Sequence, residues 1–479
     1  MFGNGAKNSR VSVRRPGLHQ QPTLTRLRTK SHMVSEKGTR FRLVDHFHRR
    51  HDFEGVPLRL WVLCLLVGCL SVMIAIAVDL VAKGIYDGRV ALCEASDAPD
   101  GGSGSQLKWS YWLGTSALLS LSAALLLKWV PAAAGSGLPE VKMLLSGIVL
   151  FDSFSLKALL VKPLSLSLAL ASSLSIGKEG PFIHCACCLA YQLVNARFMN
   201  FHHDIREQRE LEGLVAACAA GVVCTFGAPV GGVLFSAEIT STGLYNVEHL
   251  PRAFFCVTLA LAFVHIFLRP LLQHTNQPNP LALFTTSFES SHQWSPLEIF
   301  AFALQGAFSA ISAACVLRFV NLAARLRPYL AELGRFILPP LVAMLCSGVN
   351  LALSGGACRG LFTEGGGGSL DRLFNYPQKG ATAAESAAAA DAATPTFMLL
   401  LLIFALLKLL VLSPLSLAMP TPTGVFLPTF VGGAAFGHLW GILMRRLLPA
   451  WLIPATLPGH FAVTGAAAMT TASTRTMST

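Results

Sequence analysis

Charged residues are scarce in this sequence, and their scarcity excludes an ordinary soluble fold. Only 13% of the 479 residues are Asp, Glu, Lys or Arg, while 53% are hydrophobic. A soluble domain carries about 25% charged residues. The sequence also lacks the GxSxG and HExxH signatures of common hydrolases. A hydrolytic membrane enzyme is therefore disfavoured, and we expect neither catalytic residues nor a cofactor.

Metal-ligand spacing is also absent from the twelve cysteines, most of which lie inside apolar runs. A cysteine in such a run behaves as a small hydrophobe. The sequence HCACC (His184–Cys188) could suggest a metal site, but no second ligand cluster completes a tetrahedral shell. We expect this stretch to pack on a buried helix, with no metal bound. Cys93 and Cys358 lie in the two longest predicted loops and could form a disulfide if those loops are extracellular.

Long, nearly charge-free runs recur along the chain. About 20 apolar residues are enough to cross the ~30 Å hydrocarbon core of a bilayer as a helix. Such runs occur at Leu60–Val78, Tyr111–Leu127, Gly213–Ala237, Ala253–Leu268, Ile299–Leu317, Phe336–Ser354 and Phe397–Leu439, the last interrupted by Lys408. Because the runs are continuous rather than alternating in polarity, they favour helices over a transmembrane β-barrel. The sequence therefore predicts an all-α, polytopic integral membrane protein in contact with lipid.

The net charge of +12 is concentrated near the N-terminus. Residues 1–50 hold twelve Lys and Arg side chains against two acids, Glu36 and Asp45. A nucleic-acid-binding arm is one interpretation of such a segment. The positive-inside rule is favoured instead, because the first apolar run follows directly, near residue 57. We expect residues 1–56 to form a basic, disordered or weakly helical cytosolic tail that binds no nucleic acid and has no cleavable signal peptide.

Two apolar blocks of similar length make up the rest of the chain. The first covers residues 57–270 and the second residues 297–479, with a polar connection at 271–296. Such blocks are typical of transporters and channels built from two inverted repeats. Inside the second block, a Gly/Ala-rich stretch at 359–395 cannot bury a core by its composition. This stretch is predicted to be a flexible loop.

One spacing, G-x-x-x-P, occurs three times within the apolar blocks. The three elements are GSGLP (Gly135–Pro139), GKEGP (Gly177–Pro181) and GVFLP (Gly424–Pro428). Proline is favoured in the first turn of a helix, where its missing N–H would be unpaired anyway, and glycine lets the backbone before it turn sharply. Each element therefore predicts the start of a helix within the membrane. Broken backbone at that depth is tolerated only where it is buried in protein or lines a wet cavity.

A helix N-terminus attracts anions, because it presents unpaired N–H groups and about half a positive charge. Three such starts in one membrane domain predict an anion pathway whose sites are weak enough for rapid exit. Ser136 can donate its hydroxyl, and Val425 and Phe426 can offer backbone N–H groups. The alternative is that each element is an ordinary loop-to-helix turn. The shared spacing, together with a carboxylate in the second element, favours the pathway.

The second element carries an unusual pair of charges. Lys178 and Glu179 are the only charged residues between Pro163 and Ala196. An ionised group inside the membrane costs at least about 2.5 kcal/mol, and a position at or near a helix N-cap offsets part of that cost. The same position suits a mobile anion, so Glu179 is predicted to be a gate that competes with that anion. A purely structural cap is the alternative, and Lys178 is predicted to supply positive potential.

Four longer stretches resemble the CLC family of chloride channels and chloride/proton antiporters. They are GSGLPEVK (Gly135–Lys142), GKEGPFIH (Gly177–His184), GAPVGGVLFSAEIT (Gly227–Thr240) and PTGVFLPTFVGGAAFG (Pro422–Gly437), with weaker support from PGHFAVTGAAAMT (Pro458–Thr470). The stretches occur in the family's order, and the resemblance covers roughly residues 57–479. It implies a homodimer with a separate pore in each subunit, built of tilted, partly broken helices in two inverted halves.

The resemblance also implies roles for single residues. Ser136 would coordinate the central chloride, the amides of Val425 and Phe426 would complete the ion site, and Glu179 would be the gating glutamate. The full predicted chloride-binding set is Ser136, Gly137, Lys178, Gly180, Val425 and Phe426. Chloride is then the permeant ion rather than a cofactor, and the membrane is either the plasma membrane or that of an organelle.

The third motif bears on the choice between channel and antiporter. In the antiporters a second glutamate ends this motif, as in LFSLEE, and relays protons. Here the stretch reads LFSAEITST, so that Glu238 is present but Ile239 occupies the proton-glutamate position. Because isoleucine cannot carry a proton, we predict gated, voltage-dependent, passive conduction of chloride. Glu140 or Asp152 could substitute for the missing acid, which keeps the antiporter as the alternative.

The last residues of the chain read TASTRTMST, at a point where the family continues into its last membrane helices. The resemblance implies that this missing part contains a tyrosine whose hydroxyl helps to hold the central anion, and that cytosolic CBS modules often follow. The chain is therefore expected to be truncated or a divergent short form. A non-conducting subunit that modulates a full-length partner is a third functional hypothesis.

Overall fold

A computed structural model describes residues 33–34, 40–43, 58–95, 103–196, 206–240, 249–272, 296–358, 361–363, 366–375, 395–447 and 458–476. Helices account for most of these residues. They are α1 (Leu58–Ala95), α2 (Ser103–Trp129), α3 (Leu138–Leu145), α4 (Leu156–Ala171), α5 (Glu179–Asn195), α6 (Arg206–Phe226), α7 (Pro229–Ile239), α8 (His249–Leu272), α9 (Pro296–Leu353), α10 (Gly366–Asn375), α11 (Pro395–Leu407), α12 (Ser413–Ala418), α13 (Phe426–Leu447) and α14 (Pro458–Thr474).

Seven helical segments among the described residues are long and apolar enough to cross a membrane. They are Leu58–Ala95, Gln106–Trp129, His249–Ile266, Pro296–Arg325, Phe336–Leu353, Pro395–Ala418 and Phe426–Leu447. The predicted all-α, polytopic membrane fold is therefore confirmed. Two of the predicted spans, in Ile299–Leu317 and Phe336–Ser354, belong to the single 58-residue helix α9.

The predicted span Gly213–Ala237 is wrong as one continuous crossing. α6 ends at Phe226, Gly227 has a φ of +63°, and α7 begins at Pro229. Proline has no N–H to continue the hydrogen bonding of α6 and pushes the residue before it out of the helical region. Ala228 is accordingly extended, with φ −105° and ψ 93°.

The predicted run Phe397–Leu439 is likewise divided. A π-helical turn at Lys408–Leu412 separates α11 from α12, and an extended segment separates α12 from α13. The N–H and the hydroxyl of Ser413 both donate to the Lys408 carbonyl. The chain therefore reaches the third G-x-x-x-P element through a helix whose hydrogen-bonding pattern has already changed.

Two stretches predicted to lack stable structure contain short elements. The predicted flexible loop at 359–395 includes α10, in which Leu370, Leu373 and Phe374 are buried. Their i, i+3, i+4 spacing places them on one helical face that packs against the second half of the protein. The predicted tail at 1–56 contributes β1 (Met33–Val34) and β2 (Arg40–Leu43), which form an antiparallel sheet with β3 (Ile148–Leu150) in the order β1-β2-β3.

Each half of the protein has its own apolar core around a pair of packed helices. In the first half α5 packs on α6, and α5 is buried on nearly all sides. In the second half α13 packs on α14, with α10 and α11 completing the cluster. A disulfide between Cys93 and Cys358 joins the end of α1 to the residues after α9, with a Cα–Cα distance of 6.4 Å. The predicted pairing of these cysteines is confirmed.

Candidate functional site

Three helices begin inside the protein at the G-x-x-x-P elements, as predicted. α3 begins at Leu138 after an N-cap at Gly137, and α5 begins at Glu179 after an N-cap at Lys178. α13 begins at Phe426. Neither Gly137 nor Lys178 caps its helix with a side-chain hydrogen bond. The first N–H groups of these helices are therefore not saturated by their own N-caps.

Backbone hydrogen bonds hold the segments before these helices together. The Gly135 N–H donates to the Thr421 carbonyl at 3.0 Å, which ties the approach to α3 to the approach to α13. The Gly177 N–H donates to the Gly424 carbonyl at 2.9 Å, which ties the approach to α5 to the same segment. The three elements, far apart in the sequence, thus meet at one place in the fold.

The start of α3 packs directly on α5. A Cβ atom at Gly180 would stand 2.9 Å from the Ser136 Cβ, so these two residues touch. The Ser136 hydroxyl accepts a hydrogen bond from the Leu138 N–H at 3.4 Å. Gly137 has a φ of +80°, and a Cβ atom there would overlap the buried His184 ring. The backbone conformation and the close approach of α5 both require glycine at this position.

The Glu179 carboxyl group lies between the starts of α5 and α13. Only 4% of the residue is exposed. Its Oε2 atom lies beside Gly177 and 3.3 Å from where a Cβ atom of Gly424 would stand. The backbone N–H groups of Glu179 and Leu427 are directed at the carboxyl group, while Oε2 has no hydrogen-bond partner among the described residues. A carboxylate is thus placed at two helix N-termini, where the helix dipoles favour an anion.

Lys178 forms an ion pair with Asp79 and also acts electrostatically on the Glu179 carboxyl group. Its ammonium lies 2.7 Å from both carboxylate oxygens of Asp79 in α1 and 5.7 Å from the centre of the Phe182 ring. The positive charge of Lys178 is therefore balanced by Asp79 rather than held for an anion alone. Asp79 was not predicted from the sequence, although an acid that directly follows the apolar run Leu60–Val78 within α1 is a signal of function.

Aromatic side chains surround the start of α13. The Phe426 ring centre lies 4.6 Å from that of Phe226, at the end of α6, and 5.8 Å from that of Phe430. The Val425 carbonyl accepts a hydrogen bond from the Thr429 hydroxyl at 3.0 Å. Because the Phe426 side chain packs on other rings, the backbone of residues 425–426 is the polar part of this helix start.

Ile239 is the last residue of α7 and is buried in the apolar core of the first half, with 8% of its surface exposed. The neighbouring Glu238 is exposed. The position therefore offers an apolar side chain in apolar surroundings and no group that binds a proton.

The cysteines of HCACC are buried in the core of α5 and α6. The Cys187 sulfur lies 3.4 Å from that of Cys218, and the Cys188 sulfur lies 3.5 Å from the His184 Nδ1. Within the described part of the chain, no three His, Cys, Asp or Glu side chains are placed to hold a metal ion. Lys162 of α4, which is fully buried and acts electrostatically on His184, was not predicted from the sequence either.

Comparison with known proteins agrees with this arrangement. Residues 118–479 match the family described as voltage gated chloride channel. Chloride channel protein 2 of Oryctolagus cuniculus is 32% identical over 444 residues, which cover 88% of this chain and 48% of that protein. Chloride channel protein 1 of Rattus norvegicus is 31% identical over 443 residues, with 88% and 43% covered. The chain spans about half the length of these curated relatives.

Solved structures show the same fold. A eukaryotic CLC transporter superposes with a TM-score of 0.65 at 27% sequence identity, over 88% of this chain and 66% of that one. A slow cyanobacterial Cl⁻/H⁺ antiporter superposes with a TM-score of 0.63 over 87% of this chain and 86% of that one, at 18% identity. The matched range, residues 118–479, includes the three helix starts that meet around Glu179. The chain belongs to the voltage-gated chloride channel (CLC) family.

Proposed function

We propose that this chain forms a gated, voltage-dependent chloride channel in which Glu179 is the gate. The observation that carries the proposal is the position of the Glu179 carboxyl group at the N-termini of α5 and α13, with one oxygen lacking a partner among the described residues. The names of the relatives, chloride channel proteins 1 and 2, support chloride as the permeant ion.

In this mechanism the gate and the permeant ion compete for the same dipoles. While the carboxylate lies against the start of α13, it interacts with the Leu427 N–H, next to the amides of Val425 and Phe426 that are proposed for chloride, and so competes with chloride for the same helix dipole. When the side chain is protonated or displaced, this competition ends. The Ser136 hydroxyl and the amides of Val425 and Phe426 then hold chloride weakly enough for conduction. Gly137 and Gly180 permit the close backbone approach, and Lys178 contributes positive potential that Asp79 partly balances.

Passive conduction is proposed over proton-coupled exchange because of Ile239. Stoichiometric coupling needs a titratable group that relays protons, and a buried isoleucine at the end of α7 has none. Eukaryotic relatives named as channels support this choice. The alternatives are a chloride/proton antiporter and a non-conducting subunit that modulates a partner.

The assembly and orientation belong to the same proposal. We infer a homodimer with one pore in each subunit, in the plasma membrane or an organelle membrane, with no enzymatic activity and no cofactor. A disulfide forms in oxidising compartments, and α1 leads from the basic N-terminal tail to Cys93. The disulfide therefore supports an orientation in which the Cys93 end of α1 faces away from the cytosol and the N-terminus lies in the cytosol.

Reconstitution of the full chain in planar bilayers tests the proposal. Under a tenfold chloride gradient a chloride-selective channel gives a reversal potential of about 59 mV, the value for one charge per ion. We expect this potential to stay unchanged when a pH gradient is added. A shift in fixed stoichiometry with the proton gradient would establish an antiporter, and the absence of current would support the non-conducting subunit.

The substitution Glu179→Gln tests the gate itself. Glutamine keeps the size of the side chain but carries no charge to compete with chloride. We expect Glu179→Gln to raise the open probability several-fold and to remove its dependence on pH. The matched control is Glu238→Gln, which changes an exposed glutamate at the end of α7. Gating that is the same in both variants and in the wild type would refute the tethered gate.

A further inference from the structure

Arg89, near the end of α1, is a buried cation with a complete set of hydrogen bonds. Only 4% of the residue is exposed. A guanidinium group has five N–H donors, and each of them reaches one acceptor. The acceptors are Thr115 Oγ1 at 3.1 Å, Trp112 O at 3.1 Å, Ser116 Oγ at 2.6 Å, Ser173 Oγ at 3.4 Å and Ala171 O.

All five acceptors are uncharged, so that the hydrogen bonds satisfy the donors without cancelling the charge. No described carboxylate forms an ion pair with Arg89, whereas the buried Arg209 and Arg252 both pair with Glu212. Arginine is not deprotonated in proteins. A full positive charge therefore remains buried in the protein without an ion-pair partner, which is energetically costly and points to a functional role.

The surroundings of Arg89 keep water away from this charge. The Trp112 ring lies over the guanidinium, with 4.4 Å between the guanidinium carbon and the ring centre. Next to it, the disulfide between Cys93 and Cys358 packs with Val90, Leu351 and neighbouring aromatic rings. The Tyr86 hydroxyl closes the same end of the fold by donating to the Thr363 carbonyl at 3.2 Å. Because solvent screens buried charges little, the field of Arg89 extends into the protein.

Arg89 is hydrogen-bonded to the segment that leads to Glu179. Ala171 is the last residue of α4, and Ser173, with a φ of +65°, begins the connection to α5. Further along that connection, the Ser175 hydroxyl lies 3.0 Å from the Ser413 hydroxyl. The connection is therefore fixed at several points between Arg89 and Glu179.

We propose that Arg89 is an electrostatic residue of the chloride pathway, whose uncompensated charge raises the occupancy of the site beside Glu179 by an anion. This inference rests on the proposed function. Lys178 is balanced by Asp79, whereas Arg89 forms no ion pair with any described acid and is hydrogen-bonded to the segment that leads to Glu179.

The expected change in anion affinity can be estimated from the chain length between Ser173, which Arg89 contacts, and Glu179. Ser173 and Glu179 are six residues apart, so their backbones are at most about 21 Å apart. With this upper limit taken as the distance between the Arg89 charge and the anion, and an effective dielectric constant of about 20, one unit charge changes the affinity for an anion roughly fourfold.

Unitary chloride currents of the reconstituted chain, recorded over a range of chloride concentrations, test the inference. Arg89→Gln removes the charge, and we expect the half-saturating chloride concentration to rise roughly fourfold. Arg89→Lys keeps the charge but has only three donors for five acceptors. We expect its half-saturating concentration to stay close to that of the wild type. Equal changes in both variants would mean that Arg89 acts only through its hydrogen bonds and would overturn the inference.

A second pair of variants keeps Arg89 in place, in case Arg89→Gln does not fold. Ser116→Asp puts a carboxylate beside the guanidinium, and Ser116→Asn is the uncharged control of the same size. We expect only Ser116→Asp to reproduce the rise in half-saturating chloride. If the wild type conducts chloride and the two Ser116 variants have the same half-saturating chloride concentration, the role of Arg89 is refuted while the proposed function stands. If the wild type carries no chloride current, the proposed function itself is refuted.

Discussion

Two glycines at the start of α3 allow the packing around the anion site to be measured. Gly135 and Gly137 both have left-handed backbones, with φ values of +76° and +80°. No atom lies within 4 Å of a Cβ built at Gly135, whereas a Cβ at Gly137 would overlap the His184 ring. Gly135→Ala therefore tests the backbone alone, and Gly137→Ala tests the backbone together with the contact to α5.

The two substitutions should differ by the cost of this overlap. An L-residue in the left-handed region costs about 1–2 kcal/mol, which both variants share. Overpacking in a buried site costs typically about 1–3 kcal/mol more. His184 has 0% exposure and lies against Phe154, with 5.1 Å between the ring centres, so it has little room to move. We expect Gly135→Ala to destabilise the protein by about 1–2 kcal/mol and Gly137→Ala by about 2–5 kcal/mol.

Denaturation of the purified protein by SDS, followed by tryptophan fluorescence, gives both free energies. The double variant Gly137→Ala/His184→Ala removes the ring that the new methyl group meets. In a double-mutant cycle, the effect of Gly137→Ala should then fall to that of Gly135→Ala. Equal costs for the two glycine variants, or no coupling to His184, would refute the packing argument. Chloride currents should fall in Gly137→Ala and persist in Gly135→Ala, because only the former displaces α3 from α5.

The remaining predictions concern charge, the disulfide and the core. In Asp79→Asn, Lys178 loses its ion-pair partner and attracts the Glu179 carboxylate more strongly, so we expect the single-channel open probability to fall by up to about fivefold, since a partly exposed ion pair is worth about 0.2–1 kcal/mol; unchanged gating would contradict this. Cys93→Ser removes the cross-link to Cys358 and should cost about 2–5 kcal/mol, a loss that reductant should reproduce in the wild type and not in the variant. Ile239→Ala should cost about 2–5 kcal/mol by opening a cavity while leaving the chloride reversal potential unchanged; a new response to pH gradients would show that this position does affect proton coupling.

Local sequence signals predict much of this fold, because hydropathy and proline act over short distances. The starts of α3, α5 and α13 follow directly from the positions of Gly and Pro. The division of Gly213–Ala237 into α6 and α7 was also readable, since Pro229 cannot continue a helix. It was missed because a hydropathy window averages over a single proline.

Helix α10 was not predicted, because the average composition of the stretch around it hid a short apolar pattern. The glycines and alanines of the stretch at 359–395 favour a flexible chain, and this signal outweighs three apolar residues in the average. Leu370, Leu373 and Phe374 nevertheless share one helical face, which finds a partner in the cluster of α11 and α13. The gain from burying such a face depends on the surface that receives it, which lies elsewhere in the sequence.

Charge pairing is the part of the site that sequence reasoning could not supply. Lys178 and Glu179 are adjacent in the chain, yet the partner of Lys178 is Asp79, 99 residues earlier. Arg89 belongs to none of the sequence motifs, and only the fold reveals that its five hydrogen-bond acceptors are all neutral. Asp79 of α1 therefore contributes to the electrostatic surroundings of Glu179, and the proposed role of Arg89 would add a second charge from the same helix. Substitutions in α1 should therefore alter chloride conduction even though the chloride motifs lie elsewhere. Asp79→Asn tests this by removing a negative charge, and Arg89→Gln tests it by removing a positive one.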